Sequence, residues 1–338
     1  WKRTYDGTAD EPVALPVRFP LLLAQGAEGI AVGLSSRIYP HNPKELLEAA
    51  IAYLRGESFE LYPDFPTGGL LDVDKYNDGH RGGALKCRAK IEKIDDRVLS
   101  ITELPFGKTT SSLIESILKA NEKGKIKIKH IDDMTAATAD IRIQLPAGVS
   151  TDKTIDGLYA FTDCEVGLSP NACVIKEGTP VFLGVSDLLK YSADRTKELL
   201  VAQLKYRLGE VQDALVTASL ERIFIENRIY KDKPFEEAAC EADALDHVRK
   251  RIEAMEDLVF VRPITEPDLK RLLEIKMARI LRFNIEKHEE RIAQLMRDAR
   301  TIEKHLAHST QYTIDYYTRL LKEFGAGWTR KTTIARFG

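Results

Sequence analysis

The chain has 338 residues, 43% of them hydrophobic and 30% charged, and its 50 basic and 52 acidic side chains leave a formal net charge of −2. This length accommodates two domains with real cores, and the near-cancelling charge excludes a polycation, so any nucleic-acid contact must come from a local patch and from shape. Cys87, Cys164, Cys173 and Cys240 form no CxxC pair and no apolar run nears the ~20 residues of a bilayer span, which argues against a zinc ribbon, a disulfide scaffold or a membrane protein and points to the cytoplasm.

In residues 1–186, Gly and Pro recur and apolar runs are short. Residues 43–54 predict a helix, with Asn42 as N-cap and Pro43 in its first turn. Leu85-Lys86-Cys87-Arg88-Ala89-Lys90-Ile91 alternates like a half-buried strand, and an Asp95-Asp96 turn leads into Val98-Leu99-Ser100-Ile101, a hairpin signal. Residues 111–120 predict a second helix, with Leu113, Ile114, Ile117 and Leu118 on one face. Lys125-Ile126-Lys127-Ile128-Lys129 and Ile141-Arg142-Ile143-Gln144-Leu145 alternate as further strands.

After Ser186 the period changes. Val201, Leu204, Leu208, Val211, Leu215 and Ala218 step by three and four within a predicted helix over 187–230, roughly 65 Å long. A second seam runs through Ile285, His288, Ile292, Leu295, Ala299, Ile302 and Leu306. Between them, Asp232 with Pro234 and Thr265 with Pro267 open shorter helices over 235–256 and 266–283. The fold expected is α+β: a mixed α/β domain over 1–186, then a long antiparallel coiled coil with a helical dimerisation knob over 187–338. A plain helical bundle stays open, because three or four heptads do not fix topology. Within 265–283, apolar residues including Leu273, Met277, Ile280 and Leu281 spread over more than one helix face. They predict a modest two-fold contact with a second copy, unless the helix over 235–256 covers that face.

The stretch Gln25-Gly26-Ala27-Glu28-Gly29-Ile30-Ala31-Val32-Gly33-Leu34 is glycine-rich and followed by Arg37, His41 and Asn42 just before a helix start. Exposed amides and these donors suit phosphate. The run does not match GxGxxG, and a structural glycine turn is the competing reading. Gly107-Lys108-Thr109-Thr110 resembles the end of a P-loop but lacks the upstream glycine, so helix capping explains it better. His305 and His308 predict a solvated helix face rather than a metal half-site. Lys123, Lys125, Lys127 and Lys129 predict a solvated strand face that also suits phosphate.

Taken in order, Asp6-Gly7-Thr8, Leu15-Pro16, Arg18-Phe19-Pro20, Gly29-Ile30-Ala31-Val32-Gly33, Pro40-His41-Asn42, Asp64-Phe65-Pro66-Thr67-Gly68-Gly69, Arg81-Gly82-Gly83, Glu103-Leu104-Pro105-Phe106, Ile275-Lys276-Met277-Ala278-Arg279-Ile280 and Arg330-Lys331-Thr332-Thr333-Ile334 resemble the A subunits of DNA gyrase and topoisomerase IV. The short connection between the two seams is closer to the topoisomerase IV pattern. The resemblance implies a type IIA topoisomerase that passes one duplex through another at the expense of ATP. It implies a DNA-bending tower domain over 1–186 and a coiled coil with the C-terminal dimer gate over 187–338. Ile30 would be the wedge between base pairs, with Arg37, His41 and Asn42 as DNA contacts, and Leu273, Met277, Ile280 and Leu281 would form the gate. The implied partners, at the nucleoid, are double-stranded DNA, a second copy and the B subunit.

The family's nucleophile is a tyrosine directly after an arginine, in a winged-helix domain upstream of these motifs. No Arg-Tyr pair occurs here, and Tyr5 follows Thr4. A start at Trp1 rather than Met agrees with a piece of a longer chain. The expectation is therefore no catalytic residue, no metal site and no cofactor in this chain, with Mg²⁺ and ATP on the B subunit, and no strand cleavage by the chain alone. A non-enzymatic coiled-coil DNA-binding scaffold, or a purely structural coiled coil, is the alternative.

Overall fold

The computed structural model describes residues 1–338, and they form two compact units, Trp1–Thr196 with Ile314–Gly338, and Lys197–Thr313. The first unit opens with a small ribbon, β1 (Lys2–Arg3) against β2 (Asp10–Glu11). Helix α1 (Leu21–Gln25) leads into a hairpin of β3 (Ala27–Ala31) and β4 (Leu34–Ile38). Helix α2 (Pro43–Leu54) starts where Asn42 accepts a hydrogen bond from Glu45 N at 3.1 Å, and it buries Leu46, Leu47, Ala50 and Ile51. This helix matches its expected bounds.

Next come β5 (Leu70–Asp72), β6 (Leu85–Arg88), β7 (Lys90–Asp95) and β8 (Val98–Glu103), then α3 (Thr110–Glu122), β9 (His130–Asp133) and β10 (Ile141–Gln144). Helix α4 (Thr151–Phe161), β11 (Glu165–Leu168) and a second hairpin, β12 (Cys173–Lys176) with β13 (Thr179–Phe182), complete the N-terminal part. One antiparallel sheet has the order β7-β8-β10-β9. Its inward residues Leu99, Ile101, Ile141 and Ile143 pack with Leu113 and Ile117 of α3 and Leu158 of α4, the period-2 burial expected of a one-sided sheet.

Three expectations change here. The alternating run 85–91 is not one strand. Ala89 is a fully buried corner whose N–H donates to Cys164 O at 2.7 Å, so β6 and β7 belong to different sheets. The lysine-rich run 125–129 is not a strand either: its amides go to Ala120 O and Asn121 Oδ1, and pairing with β10 begins at Lys129 N to Gln144 O. The glycine-rich stretch, on the other hand, is a two-stranded hairpin.

Helix α5 (Val185–Glu226) follows, 42 residues long, about 63 Å at 1.5 Å per residue. In the second unit come α6 (Lys233–Glu236), α7 (Glu241–Glu253), α8 (Glu266–Leu273), α9 (Met277–Leu281) and α10 (Ile285–Ala307). His288 Nε2 lies 2.7 Å from Ala218 O, and Lys197 Nζ donates to Thr310 Oγ1 at 2.8 Å, so α5 and the segment from α10 onward run antiparallel. Leu204, Leu215, Ala218, His288 and Ile302 of the two seams are buried, whereas Ile285 is exposed. The two connecting helices are each broken, into α6 and α7 and into α8 and α9. Leu245, Val248 and Ile252 of α7 share one core with Leu269 and Leu272 of α8, so α7 covers the α8 part of that face and leaves Met277 and Leu281 of α9 exposed. Buried Asp268 ties this core together, accepting from Arg262 Nη1 and Nη2 at 2.7 and 2.9 Å and from Thr265 N at 2.9 Å.

The division expected at 186/187 falls at Thr196/Lys197, and residues 314–338 return to the first unit. Helix α11 (Ser309–Phe324), which the heptad pattern does not announce, and β14 (Thr333–Ile334) make that return, β14 adding in parallel to β5 in the sheet β11-β6-β5-β14. The cause is a set of polar contacts from residues far apart in sequence. Asp64 accepts from Lys331 N, Thr332 N and Asn42 Nδ2 at 3.0, 2.8 and 3.1 Å. Arg330 reaches both Glu45 carboxylate oxygens and Pro63 O.

Candidate nucleic-acid interface

The β3–β4 hairpin pairs Glu28 with Arg37, Ile30 with Ser35 and Ala31 with Leu34, leaving Val32-Gly33 as a two-residue turn. Gly33 has φ +74°, a conformation that glycine adopts without penalty. At the base, a Cβ on Gly26 would meet Ile38 O at 2.6 Å, so only glycine lets the strand leave α1 this closely. The outer edge of β4 is fastened through Arg37 N to Asn171 O, Asn171 N to Arg37 O and Ser36 Oγ to Cys173 O, at 2.8, 3.0 and 2.7 Å.

Strand β3 is exposed over all five residues. Ile30 is 88% exposed and Val32 fully so, so neither caps a core. It lines a cleft of about 790 Å³ with Arg37, Arg81, Gly82, Asn171 and Phe182. Arg37 Nη2 donates to Glu28 Oε1 at 2.8 Å across the hairpin, whereas Arg81 is exposed and carries no ion pair.

His41 and Asn42 lie elsewhere, inside the protein. His41 is buried, its N–H donates to Leu23 O, its Nδ1 is 3.2 Å from the same oxygen, and burial holds its pKa down to about 4. It is neutral at neutral pH and cannot act as a surface cation. Asn42 uses its side chain on Glu45 N, Asp64 and Trp328 O. Of the four residues expected at the interface, the cleft thus contains Ile30 and Arg37. The expectation for His41 and Asn42 is corrected: His41 is buried against Leu23 O, and Asn42 spends its side chain on capping α2 and on Asp64 and Trp328 O.

Arg81 was legible only as part of the Arg81-Gly82-Gly83 motif, without a role. Asn171 and Phe182 join the cleft from some 140 residues away, a juxtaposition no local pattern announces. Thr109 caps α3 in a reciprocal pair with Ser112, as expected of the Gly107-Lys108-Thr109-Thr110 run. Lys108 pairs with Asp163 at 3.2 Å, and the His305 ring lies against Tyr312 with centroids 4.7 Å apart.

In the second unit the four expected gate residues divide into two pairs. Met277 and Leu281 on α9 are 58% and 79% exposed. Leu273 and Ile280 are half-buried and pack on the α7–α8 core. No helix is long and apolar enough to cross a membrane.

Comparison with known proteins agrees along the chain. Residues 1–320 match the family of the A subunits of DNA gyrase and topoisomerase IV. The DNA topoisomerase 4 A subunit of Borreliella burgdorferi is 37% identical over 337 residues, 99% of this chain and 53% of that protein. The DNA gyrase A subunit of Lawsonia intracellularis is 32% identical over 238 residues, 64% of this chain and 28% of that protein. The DNA gyrase A subunit of Mycobacterium tuberculosis is 29% identical over 330 residues, 86% of this chain and 37% of that protein. The chain spans about half, or less, of the length of these relatives.

Proposed function

The chain belongs to the family of DNA gyrase and topoisomerase IV A subunits, and from that premise we propose that it supplies the DNA-bending platform and the dimer gate of an ATP-dependent type IIA topoisomerase. The first unit is the tower that holds bent duplex DNA. The antiparallel α5 and α10 form a coiled-coil arm, and α9 with its surroundings is the gate, closed by a second copy. Mg²⁺, ATP and the metal carboxylates belong to the B subunit, and the complex works on chromosomal DNA in the cytoplasm. Residues 1–338 contain no tyrosine preceded by arginine, so the nucleophile comes from outside them and these residues alone do not cut.

The observation that carries this proposal is Ile30, an isoleucine 88% exposed on a hairpin pinned at its base and along one edge. An apolar wedge costs a few kcal/mol of base unstacking and gains a bent duplex with more wrapped contact. The test is bending of a doubly labelled duplex by the complete protein with its B-subunit partner, read by energy transfer. Ile30→Ala is expected to abolish most of the bend, and an unchanged bend rejects the wedge. A wild type that leaves the duplex straight supports the purely structural alternative. Bending without strand passage, in the presence of ATP and Mg²⁺, supports the scaffold.

A further inference from the structure

Two arginines line the cleft beside Ile30, and they are not equivalent. Arg37 stands in register with Glu28, whose carboxylate is 2.8 Å from Nη2, so the hairpin already neutralises it. Arg81 has no such counter-ion, and the turn that bears it is fixed from several sides. His80 N donates to Asn77 O and Ala84 N to Lys75 O, at 2.8 and 2.9 Å. The Asp78 carboxylate accepts from Ser186 Oγ and N at 2.8 and 3.1 Å. Gly82 sits at φ +93°, a conformation that favours glycine, and a Cβ on Gly83 would approach Asn77 N to 2.8 Å, so these hydrogen bonds and the close approach at Gly83 hold the turn that bears Arg81.

We infer that Arg81 is the cation that anchors a phosphate of duplex DNA in this cleft, while Arg37 keeps the hairpin strands in register through Glu28. The inference rests on the proposal that the cleft bears DNA. An unpaired, solvated cation meeting a phosphate releases condensed counter-ions and gives up no protein partner. Arg37 would merely exchange one anion for another, and would leave Glu28 facing the phosphate. A turn already held in place spares its backbone, though not the Arg81 side chain, the ordering cost of binding.

The test is binding of duplex DNA by the complete protein with its B-subunit partner, across a salt series, with bending followed in parallel. Arg81→Gln is expected to weaken binding by the same factor for unrelated sequences and to flatten the slope of log K against log salt by about 1. Arg81→Lys should restore the slope, because a phosphate contact needs the charge, and Arg37→Gln should change it by less than half as much. A slope unchanged in Arg81→Gln, or changed more by Arg37→Gln, overturns the assignment. If the wild type still bends DNA in that same experiment, the cleft keeps its role and only Arg81 loses its own. If the wild type does not bend DNA, the cleft proposal falls and the arginine assignment falls with it.

Discussion

Exposed apolar side chains stand in both units, and what lies beneath them differs. On the hairpin, Ile30 and Val32 are isolated: β3 is exposed throughout, and Ile30 faces Ser35 across the ladder. On α9, Met277 and Leu281 flank Ile280, which packs on the core of Leu269 and Leu272. An isolated apolar side chain leaves no continuous surface for a protein partner, whereas the proposed wedge needs only one side chain on a stiff support. An apolar surface continuous with a core asks for a complementary protein surface.

The stiffness of the hairpin's support can be broken at Asp64. Strand β4 runs into Tyr39, Pro40 and His41, and Asp64 N binds Pro40 O at 2.9 Å while its carboxylate holds residues 331 and 332. Asp64→Ala leaves several buried donors without an acceptor and should cost about 3–5 kcal/mol. Both tryptophans, Trp1 and Trp328, lie in the first unit, so tryptophan fluorescence in urea follows that unit. Asp268→Ala in the second unit should shift the helical circular dichroism transition and leave the tryptophan transition nearly in place. Equal shifts of the fluorescence midpoint by both variants would show that the two units do not respond separately.

Acid separates the same two regions at different pH. The folded pKa of His41 is about 4, below its ordinary value of 6.5, because burial disfavours the charged ring. The unfolded chain therefore binds the proton first, and stability of the first unit falls as pH drops from 6.5 to about 4, by roughly 3 kcal/mol at the lower end. Arg262 holds the Asp268 carboxyl well below the ordinary carboxylate range. Its contribution is present above pH 3.8 and is lost only as pH falls below that value toward its folded pKa. Urea midpoints at about pH 7 and about pH 5 should differ for fluorescence in the wild type and differ much less in His41→Gln. An unchanged pH dependence in that variant would assign the loss to other groups.

The gate face is tested at Met277 and Leu281, since charges at half-buried Leu273 or Ile280 would disturb the core as well. Met277→Glu should weaken self-association at least tenfold, about 1.4 kcal/mol, with helical content retained. Sedimentation showing a wild type monomeric at micromolar concentration would remove the interface, and a folded Met277→Glu dimer would move it elsewhere.

How much of this was legible followed the range of the forces involved. Helix α2 was readable to the residue because Asn42, Pro43 and its apolar face are local. The long α5 was readable because its apolar residues recur every three or four positions. The β3–β4 hairpin was not, since a strand exposed on both faces has no alternation to show. The run 125–129 alternated without a partner to pair with along its length. The return of residues 314–338 depends on Asp64 and Glu45 meeting Arg330 and its neighbours across more than 260 positions, which no window contains. Asn42 is drawn inside partly by that return, through Trp328 O, whereas His41 is buried against Leu23 O, 18 positions away.

The smallest stability effect carries the sharpest form of the comparison. Ile30 and Ile101 are both isoleucines on strands of the first unit, 88% and 0% exposed. Ile101→Ala removes buried methyl groups from the sheet core and should cost about 2–5 kcal/mol through the cavity it leaves. Ile30→Ala removes atoms that touch mostly water, so its cost should stay within about 0.5 kcal/mol. The proposed wedge then predicts that the effect of Ile30→Ala appears only with bound DNA. Melting both variants beside the wild type separates the two roles. A drop for Ile30→Ala approaching that of Ile101→Ala would mean that the hairpin packs against something in solution. In that case Ile30 would be a core residue with a missing cover, of the same kind as Met277, and the wedge would be the wrong reading of its exposure.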